Sequence, residues 1–164
     1  MPDFLESQQE QIIQCYKQMD DIFHAYAVAN GLSDSTFWIL YTLCQSEKPY
    51  TQNDFCEEWY YSKQTVHSAV AILVKAGYVR LEHVPGSRNS KCIVLTEAGK
   101  RYGALHIQPI LEAERRAFAG LTPEERQLYF QLVKKHLALF GQAVEELHTH
   151  KQSSEDSPSQ WPSR

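Results

Sequence analysis

A mainly α protein carrying one small β-hairpin is the fold class this sequence predicts. Apolar residues recur at helical spacing through most of 5–148. Ser or Thr stands at the start of each helical stretch after the first. Strand-like patterning is confined to Tyr78–Glu82 and Lys91–Leu95, either side of a Pro85-Gly86 turn.

The elements follow in order. Leu5, Ile12, Tyr16, Met19, Phe23 and Tyr26 predict a helix over 5–29, ended by Asn30-Gly31 because glycine suits the left-handed position beyond a helix. Ser33 caps a second helix over 34–45 that carries Phe37, Leu40, Tyr41 and Cys44. Lys48-Pro49 breaks the chain. Thr51, with Asp54 three residues on, caps a short third helix over 52–59. Ser62 opens a fourth over 63–76, closed by Gly77, with Val66, Ala69, Val70 and Leu73 as its apolar stripe. The two strands follow, with a flexible tip between them. Thr96 caps a fifth helix over 97–118, which Pro109 is expected to kink, since proline removes a backbone donor and crowds the preceding turn. Thr122-Pro123-Glu124-Glu125 starts a sixth that runs to 148. Residues 149–164, rich in Ser, Gln, Pro and charge, predict a disordered tail.

Composition narrows the class. Hydrophobic residues make up 43% and charged residues 22%, which fits a globular core and not a disordered or fibrous chain. No apolar run is long enough to cross a membrane, and the acidic start is unlike a secretory signal, so a cytoplasmic protein is expected. Four cysteines, at 15, 44, 56 and 92, form no Cys-x-x-Cys pair; Cys44, Cys56 and Cys92 read as small core residues. The formal charge of −4 is unevenly spread: −6 over 1–47, +3 over 48–101 and −1 over 102–164. An anionic partner is therefore expected at the middle third.

That third holds the functional constellation. Only Tyr60-Tyr61-Ser62 separates the third and fourth helices, which makes a helix-turn-helix, and the hairpin after them makes it winged. Opposite its apolar stripe, the fourth helix presents Ser62, Lys63, Gln64, Thr65, His67 and Ser68, with no acid anywhere in 62–75. Such groups donate and accept at base edges in the major groove, Gln in bidentate fashion with adenine. An ordinary solvated face usually mixes both signs of charge. Arg88, Asn89 and Lys91 on the hairpin suit a minor groove or nearby phosphates. Thr51 and Gln52 at the start of the third helix offer free backbone donors for a phosphate. The predicted DNA-binding set is thus Thr51, Gln52, Ser62, Lys63, Gln64, Thr65, His67, Ser68, Arg88, Asn89 and Lys91.

Two motifs make the pattern more specific. The run 62–79, SKQTVHSAVAILVKAGYV, resembles the recognition helix and first wing strand of the MarR (multiple antibiotic resistance regulator) family, and Leu95-Thr96-Glu97-Ala98-Gly99-Lys100 resembles that family's junction from wing to fifth helix. The resemblance covers about 5–148. It implies a winged helix-turn-helix regulator of transcription that binds a pseudo-palindromic double-stranded DNA operator as a homodimer. It divides the chain into an N-terminal dimerisation helix (1–32), a DNA-binding lobe (33–96), C-terminal dimerisation helices (97–148) and the tail. The family wing commonly pairs an acid with an Arg two residues on; here Ser87 and Asn89 hold those places, so Arg88 takes the minor-groove role.

The resemblance also implies a repressor released by a signal. One candidate is a small aromatic or amphipathic effector between the dimerisation helices and the lobe, with Tyr16, Phe23, Tyr26, Phe37, Trp38, Tyr41 and His106 as wall residues; the plainer reading of each is core. Another is oxidation of Cys15, which lies where the hydroperoxide-sensing branch of the family places its reactive cysteine. Metal is not expected: His148-x-His150 is the one tight histidine pair and no four-ligand spacing exists. No catalytic motif and no cofactor site is read, so an enzyme is not expected. The remaining alternatives are a winged helix that binds protein instead of DNA, and a PadR-type regulator, in which the winged domain would begin nearer the amino terminus.

Overall fold

Every predicted Ser or Thr cap forms in the computed structural model, which describes residues 2–84, 86 and 90–154. Helix α1 spans Pro2–Ala29, α2 Asp34–Gln45, α3 Gln52–Trp59 and α4 Lys63–Lys75. Ser33 Oγ accepts the Thr36 amide, Thr51 Oγ1 the Asp54 amide, and Ser62 Oγ the Thr65 amide at 3.0 Å. These bonds satisfy donors that a helix start would otherwise leave open.

Two helices close on left-handed glycines. Gly77 has φ +77; its amide reaches the Val74 carbonyl while the Tyr78 amide reaches Leu73. Gly31 does the same at the end of α1, with Leu32 bonded back to Ala27. Both are six-to-one closures that turn the chain sharply without a Cβ clash. Because the Tyr78 amide is spent on the helix, the next strand starts at Val79, one residue later than the sequence pattern suggests.

Strands β1 (Tyr50–Thr51), β2 (Val79–His83) and β3 (Lys91–Leu95) form one antiparallel sheet in the order β1-β3-β2. Val79 faces Leu95 and His83 faces Lys91 across the hairpin, and the Val84 amide closes onto the Ser90 carbonyl. Strand β1, with Tyr50 opposite Ile93, was not expected; two residues after Pro49 are too short to show alternation.

The chain divides into two compact units at Ala113 and Glu114. In the first, Phe37, Ile39 and Leu40 of α2, Phe55 of α3, and Val66, Ala69, Val70 and Leu73 of α4 share one buried core with Val79, Ile93, Ile107 and Leu111. From α1 only Phe23 and Ala27 are fully drawn into it, while Ile12, Tyr16 and Met19 stay exposed.

One kinked fifth helix was expected over 97–118; two are found. Helix α5 runs Glu97–His106 and α6 Gln108–Ala119, interrupted at the buried Ile107. Pro109 cannot donate to the carbonyl four residues back and restricts Gln108 before it, so the break falls just ahead of the proline.

In the second unit, α7 spans Pro123–Ser154. Its start is a complete capping box: the Thr122 amide donates to Glu125 (2.7 Å) and the Glu125 amide to Thr122 Oγ1 (3.2 Å). The helix extends six residues into the segment expected to be a disordered tail; 155–164 lie outside the described residues. No helix among the described residues is long and apolar enough to cross a membrane.

Candidate nucleic-acid interface

Helix α4 sorts its residues by chemistry. Val66, Ala69, Val70 and Leu73 are buried against the lobe, where α4 packs on α2 and α3. Ser62, Lys63, Gln64, His67 and Ser68 are exposed, and Thr65 is half-buried. Ser62 and Thr65 are committed to each other: their hydroxyls lie 2.8 Å apart beside the capping bond. Lys63, Gln64 and His67 share a shallow concavity with Gln52, Asn53 and Cys56 of α3. The outward faces of both helices thus form one polar surface, with no carboxylate among those six lining residues.

Asn53 and Cys56 were missed by the sequence reading. Their spacing of three, alongside Gln52 four before Cys56, was the available signal that all three share a helix face.

Thr51 corrects an expectation. Its amide donates to Asp54 Oδ2 at 2.7 Å and its hydroxyl donates to the same oxygen at 2.8 Å. It therefore has no free donor for a phosphate. The acid three residues on, which identifies the helix start, also occupies the donors there. Gln52 keeps its place on the polar surface.

On the wing, Lys91 is exposed at the start of β3, opposite His83. Arg88 and Asn89 lie outside the described residues. Helix α3 ends at Tyr60, whose φ of 53 and ψ of 27 put it in the left-handed region. That conformation costs a non-glycine residue about 1–3 kcal/mol.

The seven residues proposed as an effector wall are only partly brought together. Phe23, Phe37, Trp38 and Tyr41 pack on one another, with Phe23–Trp38 and Trp38–Tyr41 centroids at 4.8 and 5.1 Å; Tyr26 meets Phe37 at 6.4 Å. Trp59, which the sequence reading left out, stacks on Trp38 at 4.7 Å, and its indole N–H is buried without a hydrogen-bond acceptor. Tyr16 is exposed along α1, apart from this cluster. His106 lies at another edge. Asn30 Nδ2 donates to the Tyr26 carbonyl, which turns its Oδ1 toward His106 Nδ1 at 2.7 Å, so the imidazole donates from Nδ1.

The cysteines separate by environment. Cys15 is exposed and Cys92 buried; Cys44 and Cys56 are half-buried. Burial pushes the Cys44 thiol up to about 11, which suppresses the thiolate. No cluster of metal-ligating side chains occurs among the described residues. The His148-x-His150 spacing, from which no metal site was expected, reaches residues whose side chains lie outside the described ones.

A helix-turn-helix followed by a hairpin wing, with an exposed polar face on its second helix, defines a winged-helix fold. Residues 30–88 match the model of the MarR family. No curated protein matches the sequence. Among solved structures, a MarR family regulator from Neisseria meningitidis is 24% identical, with 85% of this chain and 97% of that chain covered and a TM-score of 0.69. The MepR–DNA complex of S. aureus is 16% identical, with 81% and 97% covered and a TM-score of 0.64. BpsR from Bordetella bronchiseptica, whose DNA binding is regulated by 6-hydroxynicotinic acid, is 18% identical, with 78% of this chain and 91% of that chain covered and a TM-score of 0.59. These likenesses establish the fold.

Proposed function

We propose that this protein is a transcription regulator that binds double-stranded DNA in a sequence-specific manner, acting as a cytoplasmic homodimer without a catalytic step of its own. The observation that carries the reading is the first half of α4: exposed Lys63, Gln64, His67 and Ser68 on the side opposite its buried stripe. In the groove, Gln64 reads a base edge, Lys63 neutralises phosphate, and His67 and Ser68 fill the remaining reading surface. Lys91 and, on the tip, Arg88 and Asn89 reach the adjoining backbone or minor groove.

One such lobe reads few base pairs. Two reading helices spaced by about one DNA turn, roughly 34–36 Å, read a pseudo-palindrome. Support for a homodimer comes from the large apolar side chains left exposed. On α1 these include Leu5, Ile12, Tyr16 and Met19. On α7, Phe130, Leu137, Phe140 and Leu147 stand on one stripe with Val133 and Val144, spaced alternately by three and four. Such a stripe is the seam of a helix-to-helix contact.

The regulator acts as a repressor released by a small aromatic effector or by oxidation of Cys15. The aromatic cluster around Trp38 supports the first signal, and the exposure of Cys15 supports the second. Regulation of BpsR by 6-hydroxynicotinic acid is a parallel among structural neighbours.

Selection of bound duplexes from random DNA tests the whole reading. The expected outcome is an enriched pseudo-palindrome whose affinity falls steeply with salt. Recovery of no consensus, with no salt-dependent binding, favours the protein-interaction alternative.

A further inference from the structure

We propose that Tyr60, in the turn between α3 and α4, is a sequence-independent DNA contact whose phenol donates to a backbone phosphate on the flank of the groove that α4 enters. This rests on the DNA-binding reading above and adds a residue to it.

Tyr60 is the one non-glycine residue with positive φ among the described residues. Glycine or asparagine suits that position better. The strain is not compensated inside the protein. The residue is 91% exposed, and its side chain has no hydrogen bond or ring contact among the described residues. A bulky aromatic held in a disfavoured conformation, with its ring in solvent, has its partner elsewhere.

Its place in the chain says where. Tyr60 stands two residues before Ser62, the cap of α4. A helix about 10–12 Å across fills a major groove about 12 Å wide, so the chain feeding the amino end of a seated helix passes over one row of phosphates. Tyr60 belongs to that crossing.

The chemistry of the turn selects a neutral donor. Glu57 and Glu58 occupy the last turn of α3, and both carboxylates are already engaged: Glu57 accepts from Asn53 Nδ2 at 2.6 Å and Glu58 from the Tyr50 hydroxyl at 3.0 Å. A cation beside them would pair with carboxylate in preference to DNA. The Tyr60 phenol bonds to neither carboxylate, since Glu57 already accepts from Asn53 and Glu58 from Tyr50. Tyrosine is among the side chains that hydrogen-bond phosphate oxygens.

The test measures anisotropy of a labelled random-sequence duplex of about three turns, each about 10 base pairs, across a salt series. Wild type, Tyr60→Phe, Tyr60→Gly and Lys63→Ala are compared, with Tm measured for each. Tyr60→Phe removes only the hydroxyl from an exposed ring and keeps the fold. The expected losses of affinity are about threefold for Tyr60→Phe and about tenfold for Tyr60→Gly. The Tm of Tyr60→Gly is expected at or above that of wild type, because glycine relieves the strain. Both Tyr60 variants keep the wild-type salt slope, since a neutral contact releases no counterion, whereas Lys63→Ala lowers the slope by about one. Tight wild-type binding with Tyr60→Phe indistinguishable from wild type overturns this proposal alone. Wild type that binds no duplex overturns the DNA-binding reading, and this contact with it.

Discussion

Gly99 lies directly beneath the backbone carbonyl of Tyr78, so close that a methyl group on Gly99 would collide with that oxygen. Thr96 completes the junction: its amide donates to the Tyr78 carbonyl at 3.0 Å and its hydroxyl to the Gly77 carbonyl at 2.6 Å. The start of α5 is thereby fastened to the turn that ends α4. Gly99→Ala is expected to destabilise the fold by about 1–3 kcal/mol, because the obstacle is backbone and cannot rotate away. Thermal unfolding should show a Tm lower by several degrees; an unchanged Tm would mean that α5 can slide on its seat.

Folding and reading are separable on α4. Leu73 is fully buried, and Leu73→Ala is expected to cost about 2–5 kcal/mol in denaturant unfolding. Lys63→Ala, on the exposed side, is expected to leave stability within about 0.5 kcal/mol of wild type. A large stability loss from Lys63→Ala would show that this face packs inside the protein.

The buried Cys44 thiol makes a pH prediction. Its folded value is raised from 9.0 to about 11 by burial. Between those values the unfolded chain holds fewer protons at this site than the folded one, so stability falls as pH rises through that window. Cys44→Ala is expected to flatten the decline in Tm between pH 9 and 11, whatever its effect at neutral pH. A thiol-reactive dye at neutral pH is expected to label Cys15 well before Cys44; the reverse order contradicts the assignment of burial.

Assembly is checked by mass in solution. The chain is 18.9 kDa, and light scattering is expected to give twice that value. Phe140 is 63% exposed on α7. Phe140→Asp is expected to shift the population toward monomer, since a charge in an apolar seam is costly to desolvate. Monomeric wild type at micromolar concentration would remove the two-half-site model.

The helices and the hairpin were legible because their signals are local: Ser62 and Thr51 caps, Gly77 closure, and a short run of strand-forming residues in Lys91–Leu95 beyond a Pro-Gly turn. The buried stripe of α4 was legible for the same reason. What escaped depends on partners distant in sequence or on competition between local rules. Strand β1 exists because Tyr50 finds Ile93, more than forty residues on. Thr51 offered a cap and a phosphate site at once, and Asp54 decided for the cap. Pro109 was expected to bend one helix, but with Ile107 buried at the joint the chain makes two. Trp59 escaped because its stacking on Trp38 joins two helices that the sequence separates. The left-handed Tyr60 carried no warning, since tyrosine gives no signal for positive φ.

The most direct measurement compares wild type and Gln64→Ala on a panel of operators that differ by single base pairs. The reading-helix account predicts that Gln64→Ala binds the best operator more weakly by about 1–3 kcal/mol and loses discrimination at one symmetry-related position in each half-site. Undiminished discrimination at every position would contradict it.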